Sequence, residues 1–107
     1  MSRYFACPYL GVDVELTDER ERHIVAEHPD LLPDHLDWLE QALLTPEFAG
    51  TDERSERATL LARWYDQGES GKHAVVVVLS DIGRQWIVTA YVAAELTSAG
   101  AITWKAI

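Results

Sequence analysis

The chain has 107 residues, a usual length for one domain, so a second hydrophobic core is not expected. Hydrophobic residues make up 48% of it, yet no run approaches the roughly 18 to 20 apolar residues of a membrane helix. The single cysteine, Cys7, excludes an internal disulfide and a thiolate metal cage. The sequence therefore predicts one domain, residues 1–107, in the reducing cytoplasm, without a membrane partner and without a cofactor.

The charge is distributed unevenly along the chain. Nine basic and eighteen acidic residues give a net charge of −9. Residues 1–50 contain three basic and eleven acidic residues, whereas residues 51–107 contain six and seven. An acidic surface repels phosphate, so the charge disfavours RNA, and any RNA is expected to approach the second half.

Residues 1–16 are predicted to form an extended segment that ends in an edge strand. Apolar and acidic residues alternate from 11 to 16, as they do in a strand with one buried face. Thr17 is a suitable N-cap for a helix over 18–28, since acidic residues follow it in the first turn. Pro29 ends this helix, because a residue before proline disfavours helical geometry.

A second helix is the clearest element of the sequence. Leucines recur at intervals of four, three and four residues and form one apolar stripe: Leu32, Leu36, Leu39 and Leu43. Pro33 suits the first turn of this helix, and Thr45-Pro46 ends it. The region 17–45 is therefore predicted to contain two helices that pack on a sheet.

The remaining residues, 47–107, are predicted to form an antiparallel sheet. Segments of β-branched and aromatic residues, separated by polar turns, predict strands at 47–51, 58–65, 72–80, 84–92 and 101–105. Helices followed by a meander of hairpins indicate the α+β class. We expect two N-terminal helices packed on an antiparallel sheet of about four strands.

Four histidines are candidates for chemistry: His23, His28, His35 and His73. A zinc site is not expected, because His23 and His28 are five residues apart rather than the four that place two imidazoles on one helix face. Cleavage of RNA without a metal requires a base, an acid and a group that stabilises the charged phosphorane. Histidine suits the first two roles, since its unperturbed pKa is roughly 6.5.

The candidate catalytic residues are His23 and His28 as base and acid, Arg63 as the phosphate clamp, and Thr89 as a hydrogen-bond donor. The candidate substrate-binding residues are Tyr65, Tyr91, Lys72 and His73. Strand alternation places Arg63 with Tyr65, and Thr89 with Tyr91. A hairpin folded about Ile82 places Thr89 near Val75, and Tyr91 near His73, on a shared face. Whether Arg63 joins that face depends on the register across residues 66–71, because a slip of one residue would reverse it.

Each candidate also has a structural interpretation. His28 can close the first helix, where its imidazole meets the carbonyl end of the helix dipole. His23 has an acidic residue four positions away on either side, which is typical of a solvated helix face. Arg63 can form a structural salt bridge, and the tyrosines can be packing residues.

The ordered motifs of the chain resemble a known family. They are Leu16-Thr17-Asp18-Glu19-Arg20, His23-Ile24, His28-Pro29-Asp30-Leu31, Arg63-Trp64-Tyr65, the strand Val75-Val76-Val77-Val78, and Thr89-Ala90-Tyr91. Over residues 12–105 the chain resembles the barnase-EndoU-colicin-RelE-like nuclease domains of phages and mobile elements. This resemblance implies helices on a four-stranded antiparallel sheet and RNA cleavage without a metal. It also implies that the helix histidines correspond to His23 and His28, the basic strand residue to Arg63, and the later hydroxyl residue to Thr89.

Three functions remain open at this point. The first is an RNA endonuclease, a toxin or a protein associated with a phage or mobile element, that leaves a 2′,3′-cyclic phosphate. The second is a non-catalytic acidic module whose protein partner is a basic nuclease that it inhibits, or a cognate antitoxin. The third is a structural domain whose exposed sheet edge pairs with a second copy to form a homodimer.

Overall fold

The computed structural model describes residues 1–67, 70–96 and 101–107. In these ranges the elements are β1 (Arg3–Cys7), β2 (Val12–Leu16), α1 (Asp18–Glu27), α2 (Leu36–Leu44), β3 (Phe48–Asp52), β4 (Ser55–Gln67), β5 (Ser70–Asp81), β6 (Arg84–Ala93) and β7 (Ile102–Ala106). The strands form one sheet in the order β1-β2-β6-β5-β4-β3-β7. All neighbours are antiparallel except β2 and β6, which are parallel. Neither of the described helices is long and apolar enough to cross a membrane.

The predicted fold class, two helices on an antiparallel sheet of about four strands, is wrong. The chain is mostly β, with a mixed sheet of seven described strands and helices of only ten and nine residues. Two features account for the difference. The segment 3–7 has no clean alternation, so its pairing with β2 was not predicted, and α2 begins at Leu36 because the residues around Pro33 form turns.

The first helix forms as the sequence predicts. The Thr17 hydroxyl accepts a hydrogen bond from the Arg20 backbone N–H at 3.1 Å, which confirms the N-cap. The helix ends where His28 donates its backbone N–H to the Ile24 carbonyl at 2.7 Å. Ile24 is the buried residue of this helix, and it joins the core beneath the sheet.

The two faces of the sheet are covered differently. The helix face packs against α2 and contains the larger core, in which Leu39 and Leu43 meet Leu61 and Val76. The far face is the opposite surface, built around three buried residues: Leu60, Ala62 and Val75. Larger side chains pack on them from the strands and from the start of the β6–β7 connection: Phe48, Val77, Tyr91, Leu96, Ile102 and Trp104.

One extra residue in β6, Val88, sets the face on which the later β6 side chains lie. Ile87 pairs with Val78 before it, and Thr89 pairs with Val77 after it. Such a β-bulge reverses the alternation of all residues that follow on the bulged strand. Thr89 and every second residue after it therefore lie on the far face.

The predicted pairing within this hairpin is only partly correct. Thr89 and Tyr91 share a face with His73, as expected. However, Thr89 pairs with Val77 and Tyr91 with Val75, so each partner is displaced by two residues. The turn and the bulge each shift the register by one residue. Part of the other predicted turn, at 66–71, lies outside the described residues.

The first helix covers the outer edge of β6. Strand β2 makes a single pair with β6, between Glu15 and Trp86, so the edge continues beyond it. There the Arg20 Nη1 donates to the Val88 carbonyl at 3.3 Å, and the His28 ring lies 5.9 Å from the Tyr91 ring. Helix and strand therefore run side by side, and the helix protects an edge that could otherwise pair with another chain.

We expect Leu39→Ala to lower the free energy of unfolding by about 2 to 5 kcal/mol, because this leucine is fully buried in the core beneath α2. Leu44→Ala is the matched control on the same helix, since Leu44 is 39% exposed. Denaturant melts of both variants measure the difference. A loss below about half a kcal/mol for Leu39→Ala would show that α2 does not pack on the sheet.

Candidate active site

The strand register separates the predicted site residues into two groups. Strand β4 pairs with β5 so that Arg63 lies opposite Ala74, and Trp64 lies opposite His73. The helix face therefore carries Arg63, Tyr65 and Lys72, and the far face carries His73, Thr89 and Tyr91. The structure does not bring the predicted phosphate clamp together with the predicted donors.

Arg63 binds the end of α2. Its Nη1 donates to the Thr45 carbonyl at 2.9 Å and to the Thr45 Oγ1 at 3.1 Å. A cation at this position satisfies a carbonyl that the helix leaves free and opposes the negative end of its dipole. The buried Nε has no hydrogen-bond partner among the described residues. These contacts agree with the structural interpretation of Arg63, although with a carbonyl in place of the expected carboxylate.

Tyr65 belongs to a stack of rings on the helix face. Its ring lies parallel to that of Trp38, with centroids 4.7 Å apart, and Trp38 in turn stacks on His35 at 3.8 Å. The Tyr65 hydroxyl donates to the Trp38 carbonyl at 3.4 Å, and burial raises the pKa of this hydroxyl. Lys72 lies opposite Tyr65 on the same face. This stack anchors α2 to β4, which is a packing role.

His73 lies among aromatic rings on the far face. Its ring meets Trp64 at a centroid distance of 4.8 Å and Phe48 at 6.1 Å, both in edge-to-face geometry. Burial lowers the pKa of His73, and the negative charge of Glu47 partly opposes this effect. The buried Nδ1 has no hydrogen-bond partner among the described residues. A neutral imidazole with a free ring nitrogen is suited to accept a proton.

Thr89, Tyr91 and His28 occupy the side of the far face next to α1. The Thr89 Oγ1 is buried and, like the His73 nitrogen, has no partner within the described chain. Burial raises the pKa of Tyr91, so its hydroxyl keeps its proton and can act as a donor. The half-buried His28 ring contacts the Tyr91 ring across the boundary between α1 and β6.

His23 does not lie with the candidate residues of the far face. Five residues along a helix correspond to a rotation of about 140°, so His23 and His28 leave the helix in different directions. His23 is half-buried, and no hydrogen bond, ion pair or ring contact to it occurs in the described part of the chain. Its role as a catalytic base remains a prediction without a geometric argument.

Arg20 was not assigned a role in the sequence, although it lies beside the far face residues. Its Nη1 binds the carbonyl of Val88, the residue before Thr89, and its buried Nε has no described partner. Its Nη2 pairs with the exposed Glu19 at 3.1 Å. The sequence does contain a signal for this position, since Arg20 precedes the buried Ile24 by one helical turn and therefore faces the sheet.

A groove, a buried thiol and the acidic side chains are the other features of the described residues that were candidates for a site. A groove of about 340 Å³ between α1 and β1 is lined by six residues: Arg3, Asp18, Glu21, Arg22, Val25 and Ala26. Arg3 and Glu21 form an ion pair across it. Cys7 is buried, and burial raises the pKa of its thiol, which makes it a packing residue. Within residues 1–67, 70–96 and 101–107, no three side chains of the ligand types His, Cys, Asp and Glu are grouped for a metal ion.

Comparisons with known proteins do not assign the chain to a family. No protein-family model matches it, and neither a curated protein nor a solved structure is detectably similar to it. The resemblance to the barnase-EndoU-colicin-RelE-like nucleases stays a prediction. The function must therefore be argued from the far face itself.

We expect Glu47→Gln to lower the pKa of His73 further, because it removes the charge that opposes the effect of burial. The amide retains an oxygen that can accept the Trp64 backbone N–H, which Glu47 Oε1 binds at 2.6 Å. An NMR titration of the imidazole measures the shift. Glu56→Gln, an exposed change near the opposite end of β4, is the control. An unchanged or raised pKa in Glu47→Gln would contradict this electrostatic account.

The same shift has a consequence for stability. The folded protein binds the His73 proton less tightly than the unfolded chain does, so protonation favours unfolding. Stability should therefore fall as the pH drops below about 6.5, the usual pKa of histidine. Replacing His73 with Gln should weaken this pH dependence, which melting temperatures between neutral and mildly acidic pH can measure.

Proposed function

We propose that the protein is a metal-independent ribonuclease whose active site lies on the far face of the sheet. The observation that supports this most strongly is that two polar atoms of this face, the His73 Nδ1 and the Thr89 Oγ1, are buried without partners in the described chain. Leaving such an atom unpaired costs about 1 to 3 kcal/mol, so a polar group of a ligand that reached either atom would recover free energy. Both atoms lie on the face that carries the apolar cluster of Leu60, Ala62 and Val75.

In this proposal the two histidines transfer the protons. The neutral His73 removes the proton from a ribose 2′-hydroxyl, whose oxygen then attacks the adjacent phosphorus. His28 donates a proton to the 5′-oxygen that leaves. The products are an RNA end with a 2′,3′-cyclic phosphate and an RNA end with a free 5′-hydroxyl.

The developing charge on the phosphorane requires hydrogen-bond donors. Tyr91 keeps its hydroxyl proton, and Thr89 has an unused hydroxyl on the same face. Arg20 is the cation at this boundary, and its planar guanidinium is suited to phosphate oxygens. This assignment transfers the role expected for Arg63 to a residue on α1.

A specific observation also favours the acidic binding module as a second candidate. Five carboxylates from the last residue of α1 to the middle of α2 are exposed and form no ion pair within the described chain: Glu27, Asp30, Asp34, Asp37 and Glu40. A surface of one sign attracts a basic protein partner and increases the rate of encounter. This surface lies in the helical half of the chain, away from the far face of β4 and β5.

Cleavage assays on variants of both faces test the proposed function. We expect His73→Ala to lower the rate by a factor of about 10² to 10⁴, the usual contribution of a positioned base. Thr89→Val should lower it by about 10² or more, whereas the same change at the exposed Thr103 should have no effect. The assay measures release of labelled RNA and the cyclic phosphate end in the presence of a chelator.

Arg63→Lys separates the two assignments of the phosphate clamp. Lysine lacks the planar guanidinium that lies over the Tyr65 ring at 5.7 Å, so we expect a lower melting temperature with unchanged cleavage. A stable variant that has lost cleavage would show that Arg63 acts as the phosphate clamp. A wild type that cleaves none of the RNAs supplied, but binds a basic protein, would favour the acidic module.

A further inference from the structure

Trp64 presents an indole ring to solvent on the far face. It is 39% exposed and lies on the part of β4 that extends beyond β3, where β5 is the neighbouring strand. Phe48 and Trp104, by contrast, pack into the far face cluster. The Trp64 ring is therefore accessible to a ligand.

The ring is held flat against the sheet by two contacts. A Cβ atom added at Gly71 would lie 1.9 Å from the Trp64 ring, so the indole rests directly on the backbone of β5. The indole Nε1 donates to the Asp66 Oδ1 at 2.7 Å, which fixes the rotation of the ring. One face of the ring is thus occupied by the protein, and the ring is ordered before any ligand binds.

From this geometry we propose that Trp64 is a stacking platform for one unpaired base of a single-stranded RNA substrate. The inference rests on the proposed function, because it places that base beside the candidate general base. Trp64 and His73 are directly opposite each other on β4 and β5, and their rings meet at 4.8 Å. A base stacked on the exposed indole face brings its own ribose close to the imidazole.

The distribution of charge favours a base over a phosphate as the contacted group. Five of the nine basic residues form ion pairs with carboxylates: Arg3, Arg20, Arg54, Arg57 and Arg84. Arg63 binds Thr45, and the register places Lys72 and Lys105 on the helix face. The described strands therefore provide no unpaired cation on the far face.

A chain with a net charge of −9 and such a surface cannot hold RNA mainly through its phosphates. Stacking on an aromatic ring does not depend on phosphate contacts, and it is available only where a base is unpaired. In duplex RNA each base face is covered by the neighbouring base pairs, so no base is available to stack on the Trp64 indole. The substrate class that fits this surface is single-stranded RNA.

The test is binding of a labelled single-stranded 2′-O-methyl RNA, which cannot be cleaved because its 2′-oxygen carries no proton. Fluorescence anisotropy should show that Trp64→Leu binds about 5- to 150-fold more weakly, the range that stacking of one base contributes. Trp64→Phe should retain most of the affinity, since a ring remains. Trp86→Leu is the matched control, because Arg84 already covers that indole at 4.5 Å from its centroid.

Gly71→Ala provides a second variant in case Trp64→Leu does not fold. Its added methyl group displaces the indole without removing it, so we expect a similar loss of binding. The inference is overturned if Trp64→Leu binds as wild type, if a duplex of the same sequence binds as well as the single strand, or if wild type binds neither. Binding through Trp64 without cleavage of ordinary RNA would refute the proposed function alone, whereas cleavage that is indifferent to Trp64 would refute this inference alone.

Discussion

Val88 is the extra residue in β6, and the arrangement of polar groups on the sheet depends on it. Up to Ile87, odd-numbered residues of β6 lie on the helix face. Beyond Val88 this is reversed, and odd-numbered residues lie on the far face. Without the bulge, the Thr89 hydroxyl would lie on the helix face, in the apolar core that contains Ile87. With the bulge, Thr89 lies on the surface that His73 shares.

The position of α1 follows from the same feature. A bulge leaves a backbone carbonyl outside the regular ladder, and the Val88 carbonyl accepts its hydrogen bond from Arg20. That bond holds the helix along the edge of β6, past the single pair that β2 makes with this strand. The end of the helix then brings His28 to Tyr91. The packing of α1 along β6 therefore both covers the edge of the sheet and brings His28 to the candidate site.

Local signals predicted the elements better than their pairing. The first helix from Asp18 to Glu27, with its cap at Thr17, is confirmed because capping depends on neighbours within one turn. The bulge could not be predicted, since no residue type requires one and Val88 is an ordinary strand residue. Arg63 stayed ambiguous for the same reason, because its face depends on a register that one residue reverses. The shared face of Thr89 and Tyr91 was predictable from alternation within their own strand.

The most direct test of this account is NMR shift mapping with the non-cleavable single-stranded RNA. The indole Nε1–H groups of Trp64 and Trp38 report on the far face and the helix face, respectively. We expect the RNA to shift the signals of Trp64, His73 and Thr89 while that of Trp38 stays unchanged. Shifts at Trp38 and the Arg63 side chain, with Trp64 unaffected, would contradict the assignment of the active site to the far face.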